Sequence, residues 1–295
     1  MADIKASMVK ALRGSTGAGM MDCKIALVNN DGDMKAATDW LRAKGLAKAA
    51  RKASRIAAEG LVAAACRGKR GAVVEVNSET DFVARNDTFK TMVSRIAMQA
   101  LDADGDIETL KSMILPETGR TVTLSLTDMV ASIGENMSVR RTAMLEVGEG
   151  VVASYVHNQL AEGLGRIGVL VALESTADPK ELAMLGRQLA MHVAAANPLA
   201  LGSDDLGDDV IERERAIVSQ QARDSGKPWQ VVERMVEGRL RKFHEEVVFL
   251  KQIFVINGKD SVEKIVEAKA VELGHPIRVT GFARFALGEG IAKEQ

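Results

Sequence analysis

The sequence predicts an α+β protein: an N-terminal three-helix bundle followed by two related α+β subdomains, the second carrying a protruding antiparallel helical hairpin. Three observations carry this reading. Apolar residues keep helical spacing through the first stretch, with glycines between the runs. The order strand, hairpin turn, strand, helix, closing strand then occurs twice, offset by roughly a hundred residues. Finally, two charged segments, 208–222 and 228–246, flank Asp224-Ser225-Gly226-Lys227-Pro228, with Gly ending one helix and Pro opening the next. The expected boundaries are 1–55, 56–148 and 149–295, with the hairpin at about 208–246.

Ile4, Met8 and Leu12 mark a first helix, with Gly14 as its expected end. Residues 21–29 make a second. Asp33 is the natural cap of a third, 34–44, which Gly45 should close before a basic helix over 46–58. Residues 61–66 and 72–76 read as strands around an Arg67-Gly68-Lys69-Arg70-Gly71 turn. Beyond the polar turn at 80–83, Phe89, Met92, Val93, Ile96, Ala97 and Ala100 form one face of a helix. A helix over 126–133 and a strand over 139–147 complete the first unit. In the second unit the strands are 151–157 and 167–173, the helix 182–196 and the closing strand 277–287. Across the inserted hairpin, Ile211, Val218 and Ala222 should face Val232, Met235 and Leu240.

The chain has 295 residues, 46% hydrophobic, with 39 basic against 40 acidic side chains and a net charge of −1. That balance argues against nucleic acid as the main ligand, because phosphate neutralisation needs a basic face. One local run, Lys44, Lys48, Arg51, Lys52 and Arg55, reads as the solvated face of an Ala-rich helix. Cys23 and Cys66 stand alone, without metal-ligand spacing, as in a reduced cytosolic protein. No leader-like or membrane-spanning run occurs, so a soluble cytoplasmic protein without metal or cofactor is expected.

No catalytic constellation emerges. The histidines are scattered: His192 lies in an apolar helix and reads as a core residue, whereas His157 ends a strand beside a loop. Gly163-Leu164-Gly165-Arg166-Ile167-Gly168 spells a dinucleotide motif but runs into a strand, where no helix N-terminus would meet a pyrophosphate. Gly17-Ala18-Gly19 lacks the lysine spacing of a phosphate loop. Met20-Met21 suggests one methionine packed inward and one near the surface. At Thr80-Asp81-Phe82-Val83 two readings stand: Phe82 packs under its own loop while Asp81 caps a helix, or the pair is an exposed wedge and charge.

Several of these stretches resemble one family. Leu12-Arg13 with Thr16-Gly17-Ala18-Gly19-Met20-Met21-Asp22-Cys23-Lys24 is similar to the N-terminal signature of the bacterial elongation factor Ts family. Glu75-Val76-Asn77 with Thr80-Asp81-Phe82-Val83-Ala84 is similar to its core signature. Ile133-Gly134-Glu135-Asn136, Arg140-Arg141, Met191-His192-Val193-Ala194-Ala195, Gly226-Lys227-Pro228 and Thr280-Gly281-Phe282 extend the likeness over nearly the whole chain.

The resemblance implies that the bundle is ubiquitin-associated-like and that the protein is a guanine-nucleotide exchange factor for the GTPase elongation factor Tu. In that case Thr80, Asp81, Phe82 and Val83 dislocate the partner's Mg²⁺, and Ile133 and Gly134 support the intrusion. His157 contacts the partner, and Arg13, Met20, Met21 and Lys24 meet its nucleotide domain. It implies no covalent chemistry and no cofactor, and leaves open a dimer or a 2:2 complex with the partner. The loop 158–165 is longer than in the shortest relatives, and an extra C-terminal docking helix is not expected.

Two other readings make distinct predictions. A dinucleotide-dependent oxidoreductase would retain NAD(P) or a flavin on purification, and the lack of any such absorbance ends it. An adaptor built on the bundle and the basic run would bind RNA in a salt-sensitive way, or work as residues 1–55 alone.

Overall fold

The computed structural model describes residues 4–224 and 229–292. Helix α1 (Ala6–Thr16) runs past Gly14. Ser15 and Thr16 return their hydroxyls to the Leu12 carbonyl at 3.1 and 2.6 Å, and Gly17 closes the helix by donating its N–H to the Arg13 carbonyl. After α2 (Met20–Asn29), α3 (Met34–Lys52) is capped by Asp33, whose carboxylate accepts the Lys35 and Ala36 N–H groups at 2.8 and 2.9 Å. Gly45 does not end this helix, and no separate helix begins at Leu46. A Cβ at Gly45 would lie only 3.1 Å from that of Ala131, so this glycine is a point of close approach between two helices. Its intrinsic helix cost of about 1 kcal/mol is offset by that contact. Leu12, Cys23, Ala26, Leu27, Ala37 and Leu41 form the bundle's core.

Strands β1 (Glu59–Arg67) and β2 (Arg70–Ser78) pair down to Arg67–Arg70, leaving Gly68-Lys69 as a two-residue turn, tighter than the sequence suggested. The segment after β2 is a short helix, α4 (Asp81–Arg85), rather than a simple turn. Asn86 caps α5 (Asp87–Ala100), and all six residues of its expected apolar face are buried. α6 (Ile107–Ser112), β3 (Ile114–Leu115) and β4 (Arg120–Thr121) follow. α7 (Val122–Ile133) starts four residues earlier than expected and leads into β5 (Met137–Glu146). Leu61, Val74 and Val76 pack on Phe89, Val93, Ile96 and Leu126 beneath the sheet β5-β2-β1.

The second unit has β6 (Gly150–His157), β7 (Leu164–Gly165), β8 (Ile167–Glu174) and α8 (Pro179–Ala196), the last capped by Asp178. α9 (Asp208–Asp224) and α10 (Trp229–Val247) form the inserted arm. α11 (Val262–Leu273), unforeseen from the sequence, precedes β9 (Arg278–Ala286). β7 extends the first sheet beside β1, and the second sheet runs β6-β8-β9. The arm's seam is Val218, Val232, Val236 and Leu240, whereas Ile211 packs at the arm's base with Ala200, Leu206 and Val248. The arm's turn, 225–228, and the Ala222 side chain lie outside the described residues.

The duplication extends to irregularities of the backbone. Each closing strand bulges by one residue at the same place, Arg140 in β5 and Thr280 in β9. Each opening strand carries a glycine at φ +121° at or next to its first residue, Gly60 in β1 and Gly150 in β6. A Cβ there would strike the carbonyl oxygen of Val76 or Leu173, the residue beside the bulge. The two sheets face each other through Val62, Val73, Val152 and Leu170. Gly168 permits this approach, since a Cβ on it would sit 2.7 Å from Val62 Cγ1.

Two buried titratable groups are fully partnered. His192 accepts the Val255 N–H on Nδ1 at 3.2 Å and so donates Nε2–H to Gln252 Oε1 at 2.8 Å; burial lowers its pKa and keeps it neutral. Glu75 is fully buried. Burial alone would raise its pKa, but the Gly288 N–H, Arg141, Arg140 and Asn77 together hold it below the ordinary glutamate range.

Glu75→Gln removes the buried carboxylate that Arg140 and Arg141 share, leaving Arg141 only its pair with Glu289, and is expected to cost about 3 kcal/mol. The Glu75 contribution is fully present above the ordinary glutamate pKa and is lost as pH falls through the lowered folded value. Urea unfolding from pH 7 downward should therefore show the wild type losing stability below about pH 4.5, with a shallower loss in the variant.

Candidate functional site

β2 delivers the chain to Thr80 with its backbone already bonded. Asn77 Nδ2 donates to the Glu59 carbonyl at 3.2 Å and Ser78 Oγ to the Thr80 carbonyl at 3.0 Å. Thr80 holds the capping position of α4 but does not cap it. Its hydroxyl and N–H are both given to the Glu135 carboxylate, at 2.7 and 3.0 Å. The relation is returned, since Glu79 accepts the Asn136 N–H at 2.6 Å. Two turns thus exchange carboxylate-to-backbone bonds, a charge-assisted type stronger than neutral pairs.

On this platform the short α4 divides sharply. Val83 and Ala84 are buried in the core below, while Phe82 points away and is 79% exposed. Asp81 forms an ion pair with Arg85 one turn on, at 3.1 Å. Phe82 does not pack under its own loop, and Asp81 is the first residue of α4 rather than its cap. Such an exposed aromatic on a fixed backbone retains about 2 kcal/mol of unspent burial free energy.

Ile133 and Gly134 immediately precede Glu135, the residue that holds this turn. Ile133 packs on the core, and Gly134 ends α7 in the left-handed conformation, donating its N–H to the Val130 carbonyl at 2.9 Å. His157 is exposed at the end of β6, hydrogen-bonded through Nδ1 to the Tyr155 hydroxyl at 3.1 Å. Arg166, beside the strand partner of His157, pairs with Glu59, the strand partner of Ser78. His157 and the Thr80 turn therefore lie at the same end of the facing sheets.

The N-terminal residues present a separate surface. Arg13 and Lys24 are exposed, and so are both methionines, Met20 at 48% and Met21 at 67%, against the expectation that one packs inward. The bundle's core is filled from the other face of α2, by Cys23, Ala26 and Leu27. Met21, Ile25 and Val28 continue as an exposed apolar stripe at helical spacing.

The basic run of α3 is not a merely solvated face. Lys44 and Lys48 both pair with Asp22 at 2.9 Å, and these bonds lower the pKa of Asp22. Lys52 bonds the Gly134 carbonyl, and Arg55 pairs with Glu79 at 3.4 Å. These cations hold the bundle to itself and to the core. At the glycine motif, a Cβ on Gly165 would lie 2.6 Å from the His157 carbonyl, and β8 follows directly, so the glycines serve strand packing.

Among the described residues no group of three His, Cys, Asp or Glu is placed to hold a metal, and no helix is long and apolar enough to cross a membrane. Glu135 and Asn136 fall within one of the family-like stretches and Glu79 directly precedes another, but the sequence did not disclose their structural role. The only available signal was an acid beside each of two turns.

A family model described as "Elongation factor TS" matches residues 79–289. The chain is 57% identical over 295 residues to the elongation factor Ts of Parvibaculum lavamentivorans, covering 100% of this chain and 96% of that protein. It is 57% identical over 296 residues to that of Rhodospirillum rubrum, at the same coverages, and 56% identical over 292 residues to that of Brucella ovis, covering 99% and 95%.

The two sides of α4 should separate in stability measurements. Phe82→Ser is expected to shift the unfolding free energy by less than about 0.5 kcal/mol. Val83→Ala, which opens a cavity in the core, should cost about 2 kcal/mol. Equal effects in urea denaturation would contradict the exposed placement of Phe82.

Proposed function

The chain belongs to the elongation factor Ts family of translation elongation factors, and on that premise we propose that it is the guanine-nucleotide exchange factor for elongation factor Tu. The observation that supports this best is Phe82, a scarce aromatic left in solvent on a turn whose backbone is fixed from both sides.

In this reading α4 enters the partner beside its Mg²⁺ site. Phe82 supplies shape: burying the ring between the partner's loops yields the free energy that it leaves unspent in the free protein, and keeps those loops apart. Asp81 supplies charge. Its pair with Arg85 is exposed, and such pairs are worth at most about 1 kcal/mol, so the carboxylate is readily released to act near a cation. Mg²⁺ neutralises nucleotide phosphates and demands near-ideal octahedral oxygen ligation, so a second anion and a displaced loop weaken the hold on GDP.

Thr80 and Val83 anchor the wedge at its two ends, one to Glu135 and one in the core. Ile133 and Gly134 back it, and His157 adds a contact at the same end of the sheets. Arg13, Met20, Met21 and Lys24 grip the partner's nucleotide domain from the bundle. Linkage makes the effect reciprocal: if the factor weakens GDP binding, GDP weakens factor binding by the same free energy, and incoming GTP ejects the factor. No covalent step is required, and the site lies in the cytoplasm with the translation machinery.

Release of a fluorescent GDP analogue from purified elongation factor Tu tests the assignment. Sub-stoichiometric amounts of the protein should accelerate release, and an unchanged rate sinks the reading. Phe82→Ala and Asp81→Ala should each slow factor-dependent release about tenfold or more, a loss of roughly 1.4 kcal/mol of transition-state stabilisation apiece, with the fold intact. Full activity in the double variant would remove the wedge mechanism.

A further inference from the structure

The segment that joins the bundle to the core also touches both turns that hold α4. At the end of α3, Lys52 donates its ammonium to the Gly134 carbonyl. That carbonyl lies at the C-terminus of α7, where the helix dipole favours a cation. Just beyond, the Asn136 side-chain amide donates to the Arg55 carbonyl at 2.8 Å and the Ala53 carbonyl at 3.4 Å. Arg55 itself reaches Glu79 at 3.4 Å.

These bonds continue into the crossed pair already described. Asn136 gives its backbone N–H to Glu79, and Glu135, the residue between Gly134 and Asn136, takes the N–H and hydroxyl of Thr80. Because the Thr80 hydroxyl is committed to Glu135, α4 has no side-chain cap of its own. The pose of Asp81 and Phe82 is therefore set from outside α4. Its outermost support is α3, which rests on α7 where Gly45 meets Ala131.

We propose that Lys52, Glu79, Glu135 and Asn136 form a latch that makes the pose of Thr80-Asp81-Phe82 depend on the seating of the N-terminal bundle. They are positioning residues for the exchange activity, and the proposal rests on the exchange reading given above. A bundle seated on α7 keeps Lys52 on Gly134, which holds the 134–136 turn and with it Thr80. A bundle tilted away releases Lys52 and Asn136 together, and α4 loses the frame from which it projects. The bundle then acts twice, as a grip on the partner through α2 and as a condition for presenting the wedge.

The test uses the full chain with Lys52→Met, which keeps the aliphatic stem and removes the charge. Hydrogen exchange at the Thr80 and Asn136 amides, the two that donate to Glu135 and Glu79, reports the latch without any partner present. Both should exchange about tenfold faster in the variant, and Lys52→Arg should restore protection. In GDP release from elongation factor Tu, kcat should fall about tenfold while KM stays within about twofold. Lys24→Ala, on the gripping surface, should do the opposite and raise KM.

Unchanged protection at both amides overturns the latch, as does a rise in KM at constant kcat, which would make Lys52 a docking contact. If the wild-type protein does not accelerate GDP release, the exchange reading fails instead. The amide measurement then still decides whether the latch exists.

Discussion

A carboxylate with no access to solvent fixes the geometry of this protein. Glu75 accepts from Arg140 Nη1 at 3.0 Å, Arg141 Nε at 2.6 Å, Asn77 Nδ2 at 3.1 Å and the Gly288 N–H at 2.8 Å. Consecutive residues of a strand point to opposite faces, so Arg140 and Arg141 can share one carboxylate only because Arg140 is the bulged residue of β5. The arginines then continue to the second unit: Arg141 donates to the Ala286 carbonyl at 2.9 Å, and Arg140 to that of Glu289. One buried charge thereby sets the register of β5 on β2 and pins the end of β9 to both. Well-packed apolar residues could match its stability. They could not specify which residue of β2 lies beside the bulge, and hence where β2 ends and Thr80 emerges.

The duplicated scaffold makes α4 visible as a difference between copies. In the second unit, β8 passes through a short turn to Asp178, which caps α8, and the chain goes directly from strand to helix. In the first unit, α4 is inserted between the end of β2 and Asn86, which caps α5 in the same manner. Both units need the long helix to cover the sheet. Only the first adds a turn that covers nothing with its outer face. An exposed Phe there contributes little to folding, and the crossed Glu79 and Glu135 bonds hold a side chain that the fold itself does not require.

Much of this was legible in the chain because it depends on neighbours in sequence. The face of α5, the Asp33 cap, the duplicated order of elements and the core placement of His192 all follow from local spacing and chemistry. What escaped depends on distant partners. Gly45 looks like a helix stop until Ala131 is placed against it, and Lys44 and Lys48 look solvated until Asp22 faces them. Met20 and Met21 are both exposed because Cys23, Ala26 and Leu27 already fill the small bundle core. α6 and α11 bury only one and two residues fully, too few to leave a periodic signal. For the site, exposure of Phe82 was undecidable from composition, since burial beneath its loop and presentation above it use the same residues.

The distance between the two exposed surfaces follows from the same contacts. Methionines on α2 and the ring of Phe82 belong to different units, and a partner that meets both gains from the second contact only if the link between them is stiff. A flexible linker would dilute the second contact to its effective concentration, whereas a fixed spacing converts it almost fully into affinity. Residues 53–58 are short, and their backbone is held by Asn136 at Ala53 and Arg55. With α3 seated on α7 and Lys52 on its terminal carbonyl, the bundle cannot swing freely about that linker. Of the cations that the sequence offered as a basic run, Lys44 and Lys48 pair with Asp22 inside the bundle, while Lys52 and Arg55 are spent on this stiffness. A protein whose proposed work is to bind, distort and leave needs it, because strain can be imposed on a partner only from a frame that yields less than the partner does.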